Sequence, residues 1–324
     1  MSPCFRRVLR LFAATALLSP LTLTAAAASY APQAAVIAPR AASSLMLDVA
    51  AVGGRYVAVG ERGQILGSAD GKTWTQVPVP VRAALTAVSF ADARNGWAVG
   101  HDAVILNTRD GGASWGLQHF EPALEKPLLD VVFVDARRGF AIGAFGLFLR
   151  TVDGGDTWTP LHTPAVDDDE LNLYAIVRLG NGDLLIVGEQ GRLLLSTDAG
   201  SSWSKLASPV ESTLFGASAF GMSGALICGL RGEAWVSDAA RIGRWRAIDT
   251  GTRHALHACV AIGNDRAFLV GAEGTVLLAD PVRRSGRRVK SPAAGVWSAV
   301  AVGAAGPVLA GERGLHAIRT VPGR

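Results

Sequence analysis

A segment built from an apolar residue, a glycine, a short turn and a second apolar run recurs seven times in the 324-residue chain. Four copies are clear: "VGERGQILGSADGKTWTQV" (59–77), "VGHDAVILNTRDGGASWGLQ" (99–118), "IGAFGLFLRTVDGGDTWTPL" (142–161) and "VGEQGRLLLSTDAGSSWSKL" (187–206). Three are weaker: "CGLRGEAWVSDAARIGRWRAI" (228–248), "VGAEGTVLLADPVRRSGRRV" (270–289) and "AGERGLHAIR" (310–319). Their leading glycines are Gly60, Gly100, Gly143, Gly188, Gly229, Gly271 and Gly311, spaced 40 to 45 residues apart. A fixed period of this size marks a fold in which one supersecondary unit is stacked repeatedly. Each copy breaks into four strand-length runs rich in β-branched and aromatic residues; in the second they are "LTAVSF", "GWAVG", "AVILNT" and "SWGLQ". No segment after residue 28 sustains a helical period. Together these features predict an all-β chain folded as a seven-bladed β-propeller of four-stranded blades.

The inner strands are expected at Leu47–Val52, Leu85–Phe90, Leu128–Val134, Leu173–Arg178, Leu214–Phe220, Leu256–Ile262 and Val296–Val302. The seventh copy stops after "GLHAIR" and lacks a fourth strand. Left open there, the ring would expose sheet edges, which proteins avoid. Residues Ala34–Ala38, in "YAPQAAVIAPR" (30–40), are therefore expected to supply the outer strand of the last blade.

The acidic, glycine-rich runs in the first four copies follow [ST]-x-D-x-G-x-[ST]-W, the first being one residue short. This is the Asp-box, a hairpin between the third and fourth strands of a blade. Asp70, Asp110, Asp153 and Asp198 are expected to accept hydrogen bonds from their own turn. Trp74, Trp115, Trp158 and Trp203 are expected to bury a ring between blades. The spacing is too short for a calcium loop of the EF-hand kind. These four repeated turns read as structure, not as a metal or catalytic site.

Residues 1–28 place Arg6, Arg7 and Arg10 before an apolar run, Leu11 to Leu23, and then small residues. That order reads as a secretory signal peptide, leaving 29–324 as one propeller domain in a periplasmic or otherwise exported protein. Of 31 basic and 27 acidic residues, three arginines lie in that stretch, so 28 basic residues remain against 27 acidic. Such a balance gives no reason to expect nucleic acid. One basic cluster remains, Arg283, Arg284, Arg287, Arg288 and Lys290, and it leaves a peripheral membrane association open. Cys228 and Cys259 sit in apolar runs and are expected as buried thiols, with a disulfide as the alternative. No metal-ligand spacing and no cofactor motif is present.

"AVSFADARNGWAVG" (87–100) and "DVVFVDARRGFAIG" (130–143) share Phe-x-Asp-Ala-Arg-x-Gly-aromatic-Ala-x-Gly, each followed by an Asp-box. Over roughly 45–320 the chain resembles the photosystem II stability/assembly-factor propellers and their relatives in non-photosynthetic bacteria. It is also similar to the broader Asp-box (BNR-repeat) propellers, sialidases and some endoglucanases among them. The first resemblance implies a non-enzymatic protein that binds a newly made membrane protein, or an accessory of a membrane transporter. The second implies a glycan-acting or glycan-binding protein.

The sialidase pattern is missing several parts. "VIAPR" (36–40) does not match its Arg-Ile-Pro motif, and the only tyrosines are Tyr30, Tyr56 and Tyr174. Tyr174 near Glu170 is the nearest imitation of a Tyr-Glu pair, but it starts an inner strand and is expected to pack there. "DDDE" (167–170) reads as a solvated acidic turn, and His254 and His257 as rim residues. No catalytic residue is assigned. The binding alternative rests on the turns between second and third strands, which surround one channel mouth. They carry Glu61-Arg62, His101, Phe145, Gln190, Arg231 and Glu312-Arg313, with Arg82, Lys126 and His254 on incoming loops. Arg62 and Arg313 fall in duplicate "GERG" turns on neighbouring blades. An arginine there can grip a carboxylate bidentately or pair with a glutamate of the adjacent blade as a structural belt. With few exposed sheet edges, the chain is expected to be a monomer.

Overall fold

The computed structural model describes residues 31–167 and 169–318. The expected signal stretch 1–28, Tyr30, Asp168 and residues 319–324 lie outside the described residues, as does the side chain of Asp167.

Seven antiparallel sheets follow one another along the chain, six of four strands and the last of three. In blade 2 the strands are Leu85–Phe90, Gly96–Gly100, Ile105–Thr108 and Gly116–His119. The other blades repeat this meander over 46–77, 128–160, 173–205, 214–247, 256–288 and 297–317. The fold is a seven-bladed β-propeller. One short α-helix, Pro164–Asp167, is present among the described residues.

The leading glycine of every copy has a packing reason. Gly60, Gly100 and Gly143 are extended, a conformation any residue adopts, so left-handed freedom is not what they supply. A Cβ on Gly100 would instead lie 2.0 Å from the carbonyl oxygen of Ala84, just before the same blade's inner strand. That carbonyl accepts the N–H of His101, the next residue. All seven copies repeat this contact, with would-be Cβ distances of 2.0 to 2.5 Å. Each inner strand also carries a register shift near its start, for example between Leu85 and Ala87, which marks a bulge. The period read from the sequence is the period of this backbone crossing.

The second strands are buried on both faces, and so read as continuous apolar runs. Trp97-Ala98-Val99, Phe140-Ala141-Ile142 and Leu184–Val187 are examples. Apolar layers lie between neighbouring blades. Val57, Ile65, Leu85 and Leu106 join blades 1 and 2, and Trp97 of blade 2 stacks on Phe133 of blade 3 with centroids 3.3 Å apart. The ring closes where Met46 and Ala58 of blade 1 pack with Ala299 and Val308 of blade 7. The hydroxyl of Tyr56 donates to the carbonyl of Gly306 across that seam.

The closing device differs from the expected N-terminal strand. Residues Ala34–Ala38 form no strand and do not pair with blade 7. They run beside blade 1: the N–H of Ala35 donates to Val79 (3.0 Å), and the side chain of Gln76 binds both Ala38 N–H and the carbonyl of Val36. The 3₁₀ turn Ala41–Ser43 then crosses to blade 7, where Gly314 lies against Ala42 and Ser43 so closely that a Cβ would meet the Ala42 carbonyl at 2.0 Å. A glutamine amide, which offers both a donor and an acceptor, satisfies a backbone that Pro32 and Pro39 make a poor ladder partner. Among the described residues blade 7 keeps three strands.

Candidate functional site

Antiparallel order puts the turns joining strands 1–2 and 3–4 on one face. The turns joining strands 2–3, with the loops that lead into each blade, lie on the other.

On the first face the acidic turns are closed on themselves. Asp110 accepts from the hydroxyls of Thr108 (2.7 Å) and Ser114 (2.6 Å) and from the Ser114 N–H (2.9 Å). Asp153 and Asp198 repeat the pattern with Thr151, Thr157, Ser196 and Ser202, and Asp70 with Ser68, Lys72 and Thr73. These bonds hold Asp110 and Asp153 well below the usual carboxylate range, the Ser114 and Thr157 hydroxyls contributing most. Asp70 is lowered to about 2, chiefly by the Thr73 amide. Gly112 is left-handed at φ 91°, and its flank rests on Val57 of the preceding blade. Trp115 is buried and packs edge-on against Phe90, Trp158 against Phe133, and Trp203 against Phe140 and Phe148 of blade 3; Trp74 tilts against Tyr56.

The second face is built differently. In six blades the turn between strands 2 and 3 holds a non-glycine residue at positive φ: Arg62 (56°), Asp102 (59°), Phe145 (52°), Gln190 (52°), Arg231 (59°) and Glu273 (54°). Left-handed backbone costs such residues roughly 1–2 kcal/mol each. The seventh blade replaces this with a two-residue turn, Glu312-Arg313, between paired Gly311 and Gly314. Arg62, Phe145, Gln190, Arg231 and Arg313 are exposed, as is His101 beside Asp102.

The glutamates here fasten the blade's own incoming loop. Glu189 accepts from Asn172 N–H and side-chain amide (2.9 and 3.0 Å), and Glu312 accepts from Val296 N–H (3.1 Å). The adjacent-blade belt of Arg–Glu pairs is not found among the described residues. Arg62 reaches only its own neighbour Glu61, at 4.0 Å, and Arg231 and Arg313 make no ion pair there. A carboxylate already gripping backbone N–H groups has little reason to turn towards an exposed guanidinium. Phe145 is clamped: its N–H donates to Asn172 Oδ1 (2.8 Å) and its carbonyl accepts from Lys126 Nζ (3.1 Å), while its ring stays 53% exposed. Beside it lies a groove of about 580 Å³ lined by Leu124, Lys126, Leu147, Phe148, Leu161 and Glu170.

Other sequence candidates are placed as follows. Arg82 donates to Gln33 of the N-terminal segment, and His254 lies 3.4 Å from the Thr275 hydroxyl. Asp169 is exposed, as a solvated turn implies, and also pairs with Arg192 and, at 3.1 Å, with Lys205. Cys228 and Cys259 are free and buried.

Two constellations escape a reading of the turns alone. Tyr174, Phe215 and His257 occupy the same inner-strand position in blades 4, 5 and 6, and their rings meet edge to face at 5.0 and 5.6 Å. His257 Nδ1 lies 3.1 Å from the Trp297 carbonyl, and burial raises the Tyr174 phenol. The signal was present as Leu-Tyr, Leu-Phe and Leu-His in successive copies. The second is a pair of acids within apolar strands, Asp48 and Asp130, each in a Leu-Asp-Val run. Asp48 accepts from its neighbour Val49 and from Val88 of blade 2; Asp130 accepts from Val131 and from Ile176 of blade 4, all at 2.8 Å. Burial pushes them up to about 6 and about 7, and the Asp48 charge adds to the shift at Asp130. No group of three or more His, Cys, Asp or Glu residues among the described residues could hold a metal ion.

A family model described as "Photosynthesis system II assembly factor YCF48" matches residues 66–123 and 117–221. The photosystem II stability/assembly factor HCF136 of Cyanidioschyzon merolae is 42% identical over 53 residues, 16% of this chain and 12% of the relative. The photosystem II assembly protein Ycf48 of Thermosynechococcus vestitus is 39% identical over 46 residues, 14% of this chain and 13% of the relative. These alignments thus span about an eighth of the relatives' own length. Among solved structures, YCF48 bound to D1 peptide superposes with a TM-score of 0.69 at 17% identity, covering 89% of this chain and 97% of that one. YCF48 from Cyanidioschyzon merolae gives 0.67 at 15%, covering 85% and 95%. An ancestral GH74 enzyme gives 0.61 at 14%, covering 76% and 37%. At such identities the structural likeness establishes the fold. The chain is thus a seven-bladed β-propeller whose repeats over residues 66–221 are similar to the photosystem II assembly-factor family.

Proposed function

We propose that this chain is an exported, non-catalytic scaffold that binds an extended segment of a membrane protein across the face bearing Arg62, Arg231 and Arg313. The observation that carries this reading is the row of exposed turns, strained in blades 1–6, whose arginines have no cross-blade ion pair among the described residues. Backbone strain of this kind gathers at functional sites. An exposed guanidinium held at most by a long contact within its own turn keeps its paired donors available for a carboxylate on an incoming chain. The apolar groove beside Phe145 offers a seat for a side chain of the same segment. The similar propeller YCF48 is solved bound to D1 peptide, which supports reading this chain as a peptide binder. Assistance to a membrane transporter is one role such a scaffold fills.

A glycan-acting role draws no comparable support. Asp48 and Asp130 have both carboxylate oxygens engaged by amides, Asp169 pairs with Arg192 and Lys205 through Oδ2, and the GH74 likeness is one of fold.

The test is a crosslinking pull-down from membranes with the wild-type chain and with Arg62→Ala/Arg313→Ala. The double variant should fold normally and recover a membrane partner about tenfold less well, a difference of about 1.4 kcal/mol. Full recovery by the folded variant would contradict the proposal.

A further inference from the structure

We infer that the tips of blades 5 and 6, on the face opposite the proposed peptide site, dock onto the surface of an anionic lipid bilayer. Blades 1–4 fill that face with acidic turns folded back on themselves. Blades 5 and 6 lack the Asp-box pattern, although Asp280 accepts from the Arg283 N–H of its own turn (2.8 Å). Their loops raise three apolar tips, Met222 (72% exposed), Ile242 (64%) and Val282 (64%), against one, Val152 (60%), in the acidic turns of blades 1–4.

These loops form one connected surface. The Ala240 N–H donates to the Ser223 carbonyl (2.8 Å) and the Ser223 hydroxyl to the Asp238 carbonyl (3.2 Å), which joins the Met222 and Ile242 turns. The Asp249 N–H donates to the Arg284 carbonyl (3.0 Å), which joins blade 5 to the turn bearing Val282. Around the apolar tips Arg241, Arg246 and Arg283 have acidic partners in Asp183, Asp238 and Asp280. Arg244, Arg284, Arg287 and Arg288 are exposed and make no ion pair among the described residues.

Separate apolar tips among unneutralised cations suit the bilayer boundary, where arginines meet phosphates and the tips reach the acyl edge. Single side chains projecting from different turns offer a rigid protein no continuous apolar surface, whereas a deformable lipid layer can close around each. Beyond residue 28 the chain is almost neutral, so the attraction is local and orients the molecule. The peptide site then faces away from the membrane. A segment captured there must extend past the height of a blade, about 20 Å for a six-residue strand.

The experiment is co-sedimentation of the full chain with phosphatidylcholine vesicles, with and without phosphatidylglycerol. It compares wild type with Arg284→Glu/Arg287→Glu, Met222→Asp/Ile242→Asp and Arg62→Ala/Arg313→Ala. The N-terminal apolar run is common to all, so differences report the face. Wild type should bind the phosphatidylglycerol vesicles better, and less so at high salt. The first two variants should lose about fivefold or more at unchanged melting temperature, while the third binds as wild type does. Equal binding to both vesicle types, no loss in either face variant, or an equal loss in the Arg62/Arg313 variant would overturn the inference. The last variant separates this outcome from failure of the peptide site.

Discussion

Asp102 and Asp110 lie eight residues apart in blade 2, at opposite ends of one strand. Asp110 spends both carboxylate oxygens on its own turn, bonding Thr108 and Ser114. Asp102 is held at φ 59°, and its carboxylate accepts no hydrogen bond among the described residues. The contrast repeats in blades 1–4. On one face Asp, Ser and Thr side chains close the turns; on the other a non-glycine residue in each turn is held at positive φ with its side chain turned to solvent or half-exposed. On the proposed function, scaffold and recognition surface divide between the two ends of the same strands.

The largest expected effect breaks the element that both faces share. Gly100→Val drives a side chain into the Ala84 carbonyl, and should cost about 3 kcal/mol or more in urea unfolding. A loss under 1 kcal/mol would show that the backbone crossing can relax.

Next is pH. Asp48 and Asp130 bind protons more tightly folded than unfolded, since burial raises both above 3.8. Their contribution is therefore complete below about pH 4 and is lost as pH rises through about 6 to 7. The acidic turns act oppositely: Asp70, lowered to about 2, stabilises above its ordinary value and fails as pH falls towards 2. Melting temperature should rise from pH 8 to 5 and drop below about 4. Asp48→Asn/Asp130→Asn should flatten the upper limb, and a persistent slope would contradict the assignment. Asp110→Ala should then lower the melting temperature by a few degrees and leave partner binding alone.

The smallest effect sharpens the contrast. Gln190→Gly removes left-handed strain from an exposed turn, and should stabilise by about 0.5 kcal/mol net of glycine's added chain entropy. The same change at Gly112's neighbour Ala113, where no positive φ exists, should not.

Much of the scaffold was legible in the sequence because its determinants are local and repeated. The inner strands Leu85–Phe90 and Leu173–Arg178 begin and end where alternation places them, and blade 7 starts one residue late, at Trp297. The closing segment was misread because pairing to Gln76 and Val79 depends on a side chain some 40 residues away, which no local pattern encodes. At the candidate site, the sequence located the turns but not their strain or the use of Glu189 and Glu312 on incoming loops. Asp48 and Asp130 were visible as charges inside apolar strands, yet their inter-blade acceptor role needs the register of two blades.

The central claim, that recognition belongs to the strained face, is tested most directly by site-specific photocrosslinking in membranes. A photoreactive residue would replace Arg62, Arg231 or Arg313 on one face, and Lys72, Ala113 or Asp156 on the other. Crosslinks to one membrane protein from the first set, and none from the second, are the predicted result. Equal crosslinking from both sets, or crosslinks only from the acidic turns, would contradict the account.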